Sequence, residues 1–154
     1  MKTVFLRILV ASFVLGGNAA WAGSDINADS QGVALHGYDP VAYHAAGKPT
    51  KGQVRYQASH RGTTYYFSSA ANRDRFQGQP DRYIPQYGGY CAMGAALGKK
   101  LDVDPLAWRI VDGKLYLNVN ADIQRKWLTD VHGHIAQADR NWSDIRDKDP
   151  RGLQ

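Results

Sequence analysis

One thiol stands in this chain of 154 residues: Cys91, in the segment Gly88-Gly89-Tyr90-Cys91-Ala92-Met93. A lone cysteine has no internal disulfide partner and is an oxidation liability that Ala or Ser would avoid, so its chemistry is weighed first. Met93 adds a thioether two residues on. A thiolate, a thioether and an imidazole form a soft donor set that suits Cu(I) better than the oxygen-seeking Mg or Ca ions. The histidines available are His36, His44, His60, His132 and His134. Cys91, Met93, His36 and His60 are the expected metal ligands, with copper the expected ion. A second reading makes Cys91 a redox catalyst that cycles through sulfenic acid or a mixed disulfide with a partner protein, with reactivity set by its thiolate fraction. On a third, the domain is a non-catalytic module that binds a partner through exposed aromatics. Structurally, a free cysteine packed beneath Tyr87 and Tyr90 accounts for the same residues without chemistry.

Other chemistries find no support. The chain has no nucleophile elbow, phosphate loop, dinucleotide fingerprint or two-histidine zinc-protease motif. Asp104, the carboxylate nearest in sequence to Asp102, is explained as a cap for a turn begun by Pro105. His132-Gly133-His134 reads as a pair of surface residues between two helices.

The elements that must position Cys91 are legible from local signals. Asp39-Pro40 opens a short helix over 40–46, ended by Gly47. Val54, Tyr56, Thr64 and Tyr66 alternate on either side of Arg61-Gly62, which predicts a hairpin. Ser69 caps a helix over 69–77, closed by Pro80. Asp104-Pro105 predicts one helical turn before Trp108. Asp112-Gly113, between 109–111 and 115–119, is the strongest hairpin signal in the chain. Asn120 caps a helix over 120–131, on which Ile123, Trp127 and Val131 recur every four residues, and Ile135, Ala138 and Trp142 continue an apolar stripe over 133–142. The predicted class is α+β: a small antiparallel sheet made of two hairpins, packed with four short helices.

The N-terminus carries the parts of an export signal in order. Lys2 and Arg7 precede the apolar run Ile8 to Leu15, and Ala20 and Ala22 flank Trp21 in a cleavage pattern, so residues 1–22 are expected to be a removed signal peptide. That run falls short of the ~20 apolar residues a membrane span needs, and no span is expected after cleavage. The expected location is the periplasm or the exterior. Residues 23–32 read as a flexible lead-in, 33–145 as one domain and 146–154 as a frayed tail. The formal charge of +5 is spread among fourteen acidic residues, all Asp, and offers no clustered basic face for nucleic acid.

Several motifs together resemble the exported branch of the YHS-domain family: Gly37-Tyr38-Asp39-Pro40-Val41-Ala42-Tyr43, Tyr65-Tyr66-Phe67-Ser68-Ser69, Asn72-Arg73, Tyr87-Gly88-Gly89-Tyr90-Cys91-Ala92 and the hairpin Ile110 to Asn118. Tyr56, His60 and Ser68 correspond to the residues that name the family. The resemblance implies a small YHS-like fold and a metal-handling role, since YHS domains occur in copper exporters and some oxygenases. It also implies that Cys91 holds the position where some exported members carry selenocysteine. Metal-binding members place cysteines where this chain has Ala42 and Ser68, so the usual thiolate set is missing and a multi-cysteine zinc site is not expected.

Overall fold

The first helix begins where Asp39 and Pro40 require it. The computed structural model describes residues 25–154, so the export signal expected over 1–22 lies outside the described residues. Helix α1 spans Pro40–Ala45, and the Asp39 carboxylate accepts the Val41 and Ala42 N–H groups that a helix start leaves unpaired. Strands β1 (Gln53–His60) and β2 (Thr63–Phe67) pair antiparallel, with His60 opposite Thr63. Arg61 and Gly62 both take positive φ, the geometry of a two-residue turn whose twist matches that of the strands it joins. Strands β3 (Asp104–Val111) and β4 (Lys114–Asn118) repeat the device across Asp112-Gly113.

The α+β class is as expected, and each hairpin forms its own two-stranded sheet. Helix α2 (Ala70–Gly78) starts on the Ser69 side chain, and α5 (Ala121–Trp127) on that of Asn120. Two short helices carried no clear periodic signal: α3 (Pro80–Tyr83) and α4 (Ala92–Ala96). Pro80 ends α2 and also opens α3, as its fixed φ allows.

Four expectations are corrected. The helix expected over 120–131 ends at Trp127, and after a 3-10 turn over Leu128–Asp130 the chain enters α6 (Val131–Ile145). Gly133 sits inside the first turn of α6 because the Asp130 carboxylate takes its N–H; a Cβ there would lie 2.1 Å from Asp130 Oδ2. Asp104-Pro105 opens β3, not a helical turn: the Asp104 side chain accepts the Leu106 N–H at a ladder irregularity. The lead-in is tied down from Asp25 onward, since Ile26 is buried and Asn27 N–H donates to the Gly88 carbonyl. The tail is held as well, because buried Lys100 donates through Nζ to the carbonyls of Arg146 and Lys148.

Among the described residues, three apolar clusters make the core. The first joins α1, the β1–β2 hairpin and α2 through Val41, Tyr65, Phe67 and Phe76. Tyr87, Tyr116, Trp127 and Ala138 centre the second, between α4, β4, α5 and α6. Leu35, Tyr43, Cys91, Val103, Leu115 and Leu117 form the third, where α1 and the start of α4 meet the second hairpin. Aromatic edge contacts bind these clusters, among them Tyr43 against Trp108 at 5.2 Å.

Candidate functional site

Cys91 caps α4 from inside the third cluster. Its side chain is fully buried, Sγ accepts the Gly94 N–H at 3.3 Å, and Asn118 Oδ1 lies 3.6 Å away as the acceptor for the thiol proton. Burial pushes the thiol pKa up; the N–H groups of Gly94, Val119 and Met93 favour the thiolate but do not offset that desolvation. The result is a neutral, shielded thiol, whereas reactive cysteines sit in exposed, electropositive surroundings. Its packing partners are Leu35, Tyr43 and the strand leucines; Tyr87, which sequence placed above it, belongs to the second cluster.

The four expected metal ligands are not brought together as a set. Met93 packs against the cluster that holds Cys91, so the thioether and thiol share one apolar environment. His36 lies on a surface turn with left-handed backbone at Leu35, His36 and Gly37, and its Nε2 meets Asp102 Oδ1 at 2.9 Å. His60 stands at the end of β1, edge-on to Phe76 in the first cluster. Among the described residues, no group of three His, Cys, Asp or Glu side chains has the geometry to hold a metal.

Where metal-binding relatives were expected to carry thiolates, the chain has built a hydrogen-bonded hub. Asp39 is fully buried, and beyond capping α1 its Oδ2 accepts the Ser68 N–H at 2.8 Å, the Ser68 hydroxyl at 2.7 Å and Asn72 Nδ2 at 2.7 Å. Ala42 lies packed in the core one helical turn away. A carboxylate this saturated has its lone pairs engaged, which is how a buried charge becomes tolerable. The hub splices α1, the end of β2 and the start of α2.

Open space with polar side chains occurs elsewhere. A cleft of about 200 Å³ runs between the turn of the first hairpin, α3, the segment 84–88 and the C-terminal part of α6. Arg61 and Asp81, 3.3 Å apart, line it together with Arg146 and Asp25, and Ile84, Pro85 and Trp142 supply apolar walls. Backbone geometry shapes this cleft: Tyr87, Gly88 and Gly89 all have positive φ, and a Cβ on Gly88 would lie 1.7 Å from the Asp25 carbonyl oxygen. Only glycine admits that approach. A smaller hollow of about 90 Å³ lies beside His36 and Asp102.

Sequence reasoning did not find the larger cleft. Arg61 was legible only as a turn residue, Trp142 only as part of an apolar stripe and Asp25 only as lead-in, and no local signal links positions so far apart in the chain. His134, read from sequence as a surface residue between two helices, places Nδ1 2.8 Å from the Trp127 carbonyl and so closes the end of α5.

Among known proteins, the model of the YHS domain matches residues 41–87, from α1 to the strained turn beside the cleft. No curated protein matches the chain, and no solved structure does.

Proposed function

This chain carries a YHS domain, and on that premise we propose that it is an exported, non-catalytic binding module whose ligand enters the cleft between the YHS segment and α6. The single observation that carries this reading is the Asp39 hub. At the end of β2, where a metal-binding relative would present a thiolate, Ser68 gives both its N–H and its hydroxyl to a buried carboxylate. Residues committed in this way supply no donor to an ion, so the scaffold is kept while the metal chemistry is replaced by structure. Tyr87 and Tyr90 are buried and offer no exposed aromatic face, so binding falls to the open cleft, where charged side chains are solvent-accessible and Arg61 and Tyr87 take left-handed backbone. Export rests on the order of Lys2, Arg7, the apolar run and Ala20 to Ala22. The test is a fragment screen of the full-length chain by amide chemical shifts. Responses focused on residues 84–88, Arg61 and Arg146 support the module, and a screen that leaves these signals unmoved refutes it.

A second reading, soft-metal binding through Cys91, draws on one observation: Met93 shares its cluster. Two sulfurs are a sufficient donor pair for Cu(I) in principle. The sealed sulfur and its raised pKa weigh against this reading and against thiol redox catalysis alike. Anaerobic titration with Cu(I), compared between the parent chain and Cys91→Ser, decides it. Equal affinities remove Cys91 from any metal role, whereas a stoichiometric, Cys91-dependent site would displace the binding-module reading.

A further inference from the structure

The cleft is walled by charges of both signs, and their balance bears on what it can hold. Arg61 and Arg146 face Asp25 and Asp81, so a simple anion or a simple cation meets an opposing charge for every partner it finds. A molecule that carries both signs on nearby atoms can satisfy both kinds of lining charge. Arg61 touches Asp81 through Nη2 only, which leaves the rest of its planar fork for a carboxylate. Arg146 differs, because Nε and Nη2 are both turned to Asp147.

Trp142, set edge-on to Tyr87 at 5.8 Å, forms an apolar wall along the cleft.

We propose that the cleft bounded by Arg61, Asp81, Asp25 and Trp142 binds a small zwitterion of the α-amino-acid type, its carboxylate on Arg61, its ammonium on the lining Asp carboxylates and an apolar side chain along Trp142. The volume of about 200 Å³ is on the scale of a single amino acid. This inference rests on the binding-module reading above and narrows its ligand.

The experiment titrates the full-length chain with L-phenylalanine, 3-phenylpropionate and 2-phenylethylamine, which share a ring and differ in charge, following amide chemical shifts. The zwitterion is expected to bind with a Kd of about 1 mM, and each single-charge analogue at least tenfold more weakly. Arg61→Gln and Asp81→Asn are each expected to weaken L-phenylalanine about tenfold or more, while Arg125→Gln, whose partner Asp122 is on α5, leaves affinity unchanged. Retention of the dispersed amide spectrum shows that each variant is folded. Should 3-phenylpropionate or 2-phenylethylamine move the cleft signals as strongly as the zwitterion, the ligand class is overturned and the module stands. If none of the three moves them while other fragments do, the zwitterion assignment again fails alone. Silence of the cleft toward every compound overturns both.

Discussion

The Ser68 hydroxyl donates to Asp39 Oδ2 across 2.7 Å, joining residues 29 positions apart. It carries much of the functional argument, because the same oxygen also takes the Ser68 N–H and Asn72 Nδ2 and leaves the hub closed to an ion.

Removing that hydroxyl tests the structural role. Ser68→Ala is expected to lower stability by about 1–3 kcal/mol, since a hydrogen bond to a buried carboxylate is lost with nothing to replace it. Asp39→Ala removes the α1 cap as well, worth about another 1 kcal/mol, and is expected to cost more than Ser68→Ala. Urea unfolding reads both; a Ser68→Ala protein as stable as its parent would contradict the hub.

Cys91 is expected to be slow toward alkylation. In the folded protein at neutral pH its reaction with iodoacetamide should run at least ~100-fold slower than in urea, because the thiol is both shielded and held protonated. Comparable rates in the two conditions would reopen the redox reading.

Gly88 positions the N-terminal segment. Gly88→Ala forces a Cβ into the Asp25 carbonyl at a residue with φ of +59, so the segment 25–27 should detach, and the Asn27 amide, bonded to the Gly88 carbonyl at 2.8 Å, should lose protection from hydrogen exchange. Protection at Tyr65 and Phe67 in β2 is expected to change much less. Uniform loss across the chain would show that Gly88 matters to the whole fold and not to this contact.

Asp102 makes a pH dependence. Burial alone would raise its pKa, but Asn27 Nδ2 at 2.8 Å, the Val103 N–H and His36 together hold the carboxyl below its ordinary value. A carboxyl with a lowered folded pKa stabilises the fold above its unfolded value of about 4, and that contribution is lost as pH falls through the folded value. Asp102→Asn should therefore be less stable than the parent at pH 7 by a small margin, given how exposed this side chain is, and the margin should shrink below about pH 4. Urea midpoints at pH 7, 5 and 3 check this, and a margin that widens on acidification would contradict it.

Local chemistry determined the helix starts and both hairpins. Asp39, Ser69 and Asn120 cap the helices they were expected to cap, and Arg61-Gly62 and Asp112-Gly113 turn the strands, because caps and two-residue turns are decided by neighbours a few residues away. The apolar stripe through Ile135, Ala138 and Trp142 was legible for the same reason, as helical periodicity repeats within one element.

Tertiary structure alone decided what Cys91 and the charged residues do. Whether a thiol is reactive depends on what covers it, and Leu35, Tyr43 and Leu117 reach Cys91 from distant parts of the chain. Asp25, Arg61 and Arg146 likewise meet at one cleft only because the first hairpin, the segment 84–88 and α6 pack together. Burial and electrostatic environment are sums over neighbours in space, and no spacing along the sequence fixes those sums.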